Sequence, residues 1–432
     1  MHSYGSDIRN TSPEHIRLYP AEMGTQSLGR LRVRCTSEGV LPVENATVTI
    51  SSPENPQQVY DQLITDANGL TQEIELPAPP IDYSLEPSEV QPYSEYDVRV
   101  TAPGYEGAVF SHIEILPEVT AEQEAALTPQ PEAPEAEEEL FVIPPHTLYG
   151  DYPPKIPEDE IKPTAETGEI VLSRVVVPEF VIVHDGPPQS AAQNHYVRFR
   201  DYIKNVASSE IYATWPEQTI YANVLAILSF TMNRIYTEWY RSQGYNFTIT
   251  SSTAYDHKWI NGRNIFTNIG LAVDSVFVNY LSRPNVRQPI LTQYCDGNRT
   301  QCPGWMTQWG SKTLGDQGRS AIEILRNYYG PTIYINTAPE VSGVPSSWPG
   351  SSLTIGSRGD NVRTIQSQLN RIADAYPAIP RLAVDGAYGP LTANSVRVFQ
   401  GIFDLPATGV VDMATWYKIS FIYVAVTRMA QL

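Results

Sequence analysis

Val206-Ala-Ser-Ser-Glu-Ile-Tyr-Ala-Thr-Trp-Pro-Glu217 lies between two helical patterns and places one carboxylate, Glu210, at their junction. Upstream, Val197 to Ser209 reads as a short helix. Downstream, Gln218 to Arg241 carries Ile220, Val224, Ile227, Leu228, Thr231 and Ile235 on one stripe, which predicts a long helix. Thr214-x-x-Glu217 has the form of a capping box, with Pro216 in the first turn, where its missing N–H is harmless. A lone glutamate beside an aromatic and a proline is one way to present a general acid/base to a long substrate. At a helix C-terminus the dipole disfavours ionisation, and Tyr212 and Trp215 would desolvate the group. Both effects raise a carboxyl pKa toward that of a useful acid. The competing reading is a surface glutamate at a helix end.

Working outward, the central segment 141–345 mixes helices with short strands, Glu169-Ile-Val-Leu-Ser-Arg-Val-Val-Val177 and Phe180-Val-Ile-Val-His184, and reads as α+β. Residues 118–140 are dominated by Glu, Pro and Ala. No Lys or Arg occurs between Arg99 and Lys155, so this stretch is expected to be an extended, self-repelling linker. Residues 28–117 alternate with period two at Leu31-Arg-Val-Arg34 and Ala46-Thr-Val-Thr-Ile50. Turn signals occur at Thr65-Asp-Ala-Asn-Gly69 and before Tyr105, and the whole predicts a β-sandwich. Residues 1–27 read as an irregular tail. The last segment, 346–432, is helical, with Val362, Ile365, Leu369 and Ile372 on one stripe and Val396, Phe399 and Phe403 on another. Two similar turns, around Asp385 and Asp412, lead into helices near Thr392 and Thr415. The two aspartates are expected to hold those turns through side-chain to backbone hydrogen bonds.

The chain has 432 residues and a formal net charge of −19. An acidic surface argues against nucleic acid and against anionic lipid. No apolar run approaches the ~18 residues of a membrane span. The start, Met1-His-Ser-Tyr-Gly-Ser-Asp7, shows no secretory signal, so either the protein works without that export route or the signal is missing from this chain. The 26 tyrosines offer flat faces for sugars, although half-buried packing is their commoner use.

The C-terminal segment resembles the peptidoglycan-binding module of wall hydrolases at Leu353-Thr-Ile-Gly-Ser-Arg-Gly-Asp-Asn-Val362, Gln366-Ser-Gln-Leu369, Val384-Asp-Gly-Ala-Tyr-Gly-Pro390, Val398-Phe-Gln400 and Thr408-Gly-Val-Val-Asp412. That likeness implies a three-helix domain holding the protein on glycan. The β-rich segment resembles transthyretin-like and carboxypeptidase-regulatory-like modules. The central segment resembles the catalytic domain of the stage II sporulation protein D family. The matching residues are Tyr202-Ile-Lys-Asn-Val-Ala-Ser-Ser-Glu-Ile-Tyr-Ala-Thr-Trp-Pro216, Gly304-Trp-Met-Thr-Gln-Trp-Gly310 and Gly318-Arg-Ser-Ala-Ile-Glu-Ile-Leu-Arg-Asn-Tyr-Tyr-Gly330. The combination is most similar to the clostridial spore cortex-lytic enzymes. The resemblance implies a lytic transglycosylase that degrades cortex glycan during germination, works in the spore cortex, coat layers or wall, and is activated by a protease.

The chain departs from that family where relatives carry histidine. Cys302 stands at one such position, and the region before it reads Tyr294-Cys-Asp-Gly297. Glu210 is the expected catalytic group, acting without a cofactor. A lytic transglycosylase needs only one such group, because the tethered C6 hydroxyl of muramic acid replaces an external nucleophile. Trp215, Ser252, Tyr255, Asp256, Tyr294, Gln308 and Trp309 are expected to bind substrate. His257 could be a second proton carrier or a metal ligand. Cys295 and Cys302 leave three readings open: a disulfide, a pair of zinc ligands, or free thiols. A muramidase would need a second carboxylate, for which Asp256 and Asp274 are the candidates. A non-catalytic wall-binding or spore-assembly protein is the remaining alternative.

Overall fold

The computed structural model describes residues 27–130, 138–150, 152–162 and 172–427. The tail at 1–26, part of the expected linker and the start of the strand expected at 169–177 lie outside the described residues.

The N-terminal region is mostly β. In chain order its strands are β1 (Ser27–Ser37), β2 (Leu41–Pro42), β3 (Thr47–Ser51), β4 (Val59–Ile64), β5 (Ile74–Ala78), β6 (Ser94–Thr101), β7 (Ala108–Ile115), β8 (Thr120–Leu127) and β9 (Glu139–Val142). One sheet runs β4-β3-β6-β7-β9, and in the other β1 pairs with β2, β5 and β8. The alternation works as expected, burying Leu31, Val33, Val48, Ile50, Val98 and Val100. At the expected turn, Asp66 Oδ1 accepts from the amides of Asn68 (2.8 Å) and Leu70 (3.0 Å). Gly69 there has φ of 72°, and a Cβ on it would lie 2.3 Å from the Cys35 carbonyl, so the position requires glycine.

The linker expectation fails over Thr120–Leu127. This stretch is β8, parallel to β1 in the register Arg32↔Glu122 and Arg34↔Glu124. Ala121, Gln123, Ala125 and Leu127 are buried. Glu122 accepts from Arg32 at 2.8 Å and Arg34 at 3.0 Å. The glutamates that read as a solvated run are thus one face of a strand, and their counter-charges come from a strand some ninety residues away.

The central region holds β10 (Val176–Val177), β11 (Phe180–His184), β12 (Asn194–Arg198), α1 (Phe199–Glu210), α2 (Glu217–Tyr236), β13 (Ile249–Thr250), β14 (Ile265–Phe266), α3 (Thr267–Val276), α4 (Gln308–Asp316) and α5 (Ala321–Tyr329). Both helices flanking Glu210 form, and Glu210 is the last residue of the first. The expected capping box does not form. Pro216 is itself the N-cap of α2, without a side-chain cap, and Thr214 donates instead to Ser84 Oγ at 2.7 Å. A real capping box closes α5, between Ser320 and Glu323.

The central and β-rich regions are fused. Strand β14 pairs antiparallel with β8, and Arg263 donates to Glu114 of β7 and to the Ser208 carbonyl, both at 2.6 Å. Glu114 and Arg263 are both buried. Arg263→Met is expected to lower the unfolding free energy by ~3 kcal/mol, because it strands a buried carboxylate. Adding Glu114→Leu should recover most of that loss in a double-mutant cycle read by urea unfolding, whereas additive losses would contradict the pairing.

The C-terminal helical region consists of α6 (Asp360–Ile372), α7 (Pro390–Ile402) and α8 (Met413–Thr427). Gln366 Nε2 donates to Asp385 Oδ1 (2.9 Å), the Ala387 carbonyl (3.1 Å) and Thr392 Oγ1 (3.3 Å). Gln400 repeats the pattern on the second turn, reaching the Val410 carbonyl at 2.9 Å and Thr415 Oγ1 at 3.1 Å. Asp385 accepts from the Ala387 amide and Asp412 from the Thr415 amide, at 2.9 and 2.8 Å. Both aspartates therefore hold turns. This region docks on the other two. Arg34 reaches Asp404 at 2.5 Å, and the Arg200 guanidinium lies 4.4 Å from the Phe421 ring centre.

Near this junction Asp274 pairs with Lys204 at 2.7 Å and Arg200 at 3.2 Å. Burial pushes its carboxyl up, but Lys204 and Arg200 outweigh burial and hold it at about 2. A folded value below the unfolded ~3.9 stabilises the protein above pH ~4 and is lost as pH falls toward 2. Asp274→Asn is expected to remove ~2 kcal/mol of stability at pH 6 and to flatten the decline between pH ~4 and ~2 in urea midpoints. An unchanged acid limb would contradict the pairing.

Candidate active site

Glu210 ends α1 with 0% exposure. The last carbonyls of a helix lack intrahelical donors, and here three separate segments supply them. Arg263 donates to Ser208, Thr147 Oγ1 to Ser209 (2.9 Å), and Gln308 Nε2 to Glu210 (3.0 Å). The helix end, and with it Glu210, is fixed from three sides.

The carboxylate itself has two donors. The Lys258 amide reaches Oε1 at 2.6 Å, and the Tyr294 hydroxyl donates to Oε2. Burial pushes the Glu210 carboxyl above its ordinary value, against the opposing pull of Lys155, Tyr294 and Lys258. A carboxyl that holds its proton at higher pH is what an acid catalyst needs. The His257 ring stacks 5.9 Å from Tyr294 and bonds Tyr202 through Nδ1 at 3.0 Å. Burial, with Lys155 and Arg234 nearby, holds His257 well below its ordinary pKa, so it is neutral. His257 Nε2, Gln308 Oε1 and the Tyr152 hydroxyl are buried around this centre without a partner among the described residues.

Sequence reasoning missed Lys155. It is 4% exposed, donates to the Asp256 carbonyl, and lies 5.1 Å from the Tyr294 ring centre. Burial lowers its pKa to about 8, while Glu210 and Asp256 pull the other way. The signal available was its place as the first cation after a long cation-free stretch. Lys155 belongs to a strap, 143–150 and 152–162, that packs on the end of α1. Thr147 binds Ser209, the His146 ring lies 4.5 Å from Tyr212, and the Tyr152 carbonyl accepts from Thr300 at 2.8 Å. Two bidentate ion pairs anchor its far end: Glu158 with Arg234 (2.6 and 2.9 Å) and Glu160 with Arg283 (2.6 and 2.7 Å).

Several expected substrate contacts are internal instead. Asp256 is fully buried, taken by Arg234 (2.7 Å), Tyr240 (2.6 Å) and both donors of Thr250. It can therefore act neither as a sugar ligand nor as a second carboxylate. Asp274 is bound to Lys204 and Arg200, away from Glu210. Trp215 is buried, its indole N–H donating to the Ser84 carbonyl at 2.9 Å and its ring 5.0 Å from Trp309. Two indoles that face each other and Tyr212 pack the core rather than a sugar. Gln308 holds the Glu210 backbone. Ser252 is half-buried, and its carbonyl caps the turn through the Tyr255 and Asp256 amides. Tyr255 lines an open groove with Trp239, Tyr240 and Tyr245. Of the predicted group, only Tyr294 touches the Glu210 carboxylate.

Cys295 and Cys302 form a disulfide, so neither sulfur is a thiolate ligand or a free thiol. The bond closes the loop that follows Tyr294. Replacing both cysteines with serine is expected to cost ~2.5 kcal/mol from loop closure, measured by urea unfolding. No loss relative to wild type would contradict the bond.

Comparison with known proteins locates the C-terminal region. Residues 358–419 match the family model PG_binding_1, a peptidoglycan binding domain. The chain is 36% identical over 92 residues to a zinc D-Ala-D-Ala carboxypeptidase of Streptomyces albus G, which spans 21% of this chain and 34% of that protein. It therefore covers about a third of the length of this relative. Among solved structures, the Bacillus anthracis TIE protein is 20% identical, covering 24% of this chain and 17% of that one, with a TM-score of 0.18. A catechol 1,2-dioxygenase mutant of Acinetobacter radioresistens is 14% identical, covering 27% and 58%, with a TM-score of 0.19. Likenesses that slight carry no argument. The C-terminal helical region thus contains a peptidoglycan-binding domain, which supports peptidoglycan as a partner and the cell wall as the location.

Proposed function

We propose that the chain is a peptidoglycan lytic transglycosylase acting on spore cortex glycan during germination, with Glu210 as its single acid/base. The observation that carries this reading is the state of Glu210. It is a buried carboxyl with a raised pKa, hydrogen-bonded by Tyr294 and Lys258, while Asp256 and Asp274 are tied to cations. As an acid, Glu210 protonates the glycosidic oxygen, and the bond to muramic C1 breaks. As a carboxylate it then takes the proton of the C6 hydroxyl, whose oxygen closes on C1. No external nucleophile is consumed. Tyr294 holds the carboxylate between the two steps. The zinc named in the Streptomyces relative plays no part in this proposal, since the match spans only 34% of that protein.

In this reading residues 141–345 form the catalytic unit, of the sporulation protein D type, and 346–432 hold it on the glycan. The β-rich region serves as a transthyretin-like brace. The strap gives the activating protease a role. Thr147 bonds the end of α1 and Lys155 sits beside Tyr294, so in this reading a glycan strand reaches Glu210 only after the strap has opened, and cleavage beyond Lys162 would free the strap's far end. The reading is tested by glycan digestion with the opened protein and its Glu210→Gln variant.

A further inference from the structure

Beyond the Glu210 centre, the turn His184-Asp-Gly-Pro-Pro-Gln-Ser190 leaves β11 and the chain returns along β12 from Asn194. It brings three side chains into line. Asn194 Nδ2 donates to Asn246 Oδ1 at 3.0 Å, which turns the Asn194 carbonyl toward His184 Nδ1 at 2.8 Å. That contact puts the imidazole proton on Nδ1 and leaves Nε2 as an acceptor. Nε2 lies 3.2 Å from Ser190 Oγ. The ring is held by stacking on Phe247 at 4.6 Å, while Ser190 is exposed. A base thus has its tautomer fixed by a third group and faces an accessible hydroxyl, the arrangement that activates a serine nucleophile.

We propose that Ser190, His184 and Asn194 form a second catalytic site, which hydrolyses acyl esters on hydroxyls of wall glycan. The Ser190 oxygen bonds to the acyl carbon as the bond from that carbon to the sugar oxygen breaks. His184 Nε2 takes the serine proton and passes it to the departing sugar alkoxide. Water then attacks the acyl-serine through the same base, releasing the carboxylic acid and restoring Ser190. The amides of Gln189 and Ala191 make no hydrogen bond among the described residues, which leaves them as donors for the acyl oxygen. Gly186 makes room for the hydroxyl, since a Cβ there would lie 2.6 Å from Ser190 Oγ. Ser190 Oγ also reaches the Pro187 carbonyl at 2.7 Å. That contact alone would make the serine a turn-former. The hydroxyl has one proton, however, and a rotation about the Cβ–Oγ bond delivers it to Nε2 instead.

The groove beside the turn indicates the substrate. Pro188 and Gln189 line it with Trp239, Tyr240, Tyr245 and Tyr255. Half-buried Trp239, Tyr245 and Tyr255 on its wall suit a sugar face. Ester removal also fits the Glu210 reaction, on which the choice of substrate rests. An acyl group on the C6 hydroxyl would block ring closure, so an esterase must act before the lytic step.

The full-length protein is incubated with a fluorophosphonate probe and with p-nitrophenyl acetate, and then with O-acetylated sacculi while released acetate is measured. The expected result is a probe adduct on Ser190 and acetate release from both substrates. Ester turnover should fall at least ~100-fold in Ser190→Ala and in His184→Gln. Ser190 is exposed, so its alanine variant keeps the fold, which an unchanged Tm confirms. Absence of both adduct and ester turnover in folded wild type overturns the site, as does full turnover in Ser190→Ala. Turnover of p-nitrophenyl acetate without release from sacculi overturns the glycan-ester assignment. Acetate and glycan fragments are read separately, so failure of the lytic reading leaves this result intact.

Discussion

Severing the chain between Lys162 and Leu172, in a variant carrying Glu158→Gln and Glu160→Gln, is expected to raise glycan cleavage at least ~100-fold over the intact wild type. The strap's anchors set the size of the effect. Glu158 and Glu160 each make a bidentate pair with an arginine, and such contacts are the strong ones. While they hold, Lys155 stays beside Tyr294 and Glu210 has no exposed surface. Weakening the anchors and cutting the chain leaves the strap tethered only at its Ile143 end, next to β9, so its far end can swing clear of the site. The rate of fragment release from sacculi reads the change. Equal rates for intact and cut protein, with the strap shown by hydrogen exchange to have opened, would contradict the role given to it.

Glu210→Gln in the opened protein is expected to lower cleavage by ~10³-fold or more, since both proton transfers pass through this carboxyl. Glutamine keeps the shape and can still accept from the Lys258 amide. It has no proton to give the glycosidic oxygen and does not take one from the C6 hydroxyl. Binding to sacculi should stay at the wild-type level, because the peptidoglycan-binding domain at 358–419 is separate from this centre. A variant that still cleaves at a tenth of the wild-type rate would move the acid to another residue. An opened wild type that binds and never cleaves would favour a non-catalytic wall-binding protein.

Local signals were legible where the physics is local. The alternation of Leu31 and Val33, the Asp66 turn, the helices around Glu210 and the turn-holding of Asp385 and Asp412 all follow from neighbours a few residues apart. Tertiary partners were not legible. Thr214 has the right spacing for a capping box, yet Ser84 takes its hydroxyl. Glu122 and Glu124 looked like solvated charge because the arginines beside them come from β1. Asp256 resembled a ligand in a polar loop, and nothing near it in the chain announces Arg234 and Tyr240. The raised carboxyl pKa of Glu210 was expected from Tyr212 and Trp215, but the groups set around it, Lys155, Tyr294 and the Lys258 amide, come from distant parts of the chain. Only the fold shows that a residue some sixty positions earlier, Thr147, bonds the end of its helix.

The most direct test is mass spectrometry of the fragments that the opened protein releases from purified cortex sacculi. The account predicts 1,6-anhydromuramic ends, each lighter by one water than a hydrolysed end, and their loss in Glu210→Gln. Reducing ends in their place, or no fragments from protein that still binds the sacculi, would contradict it.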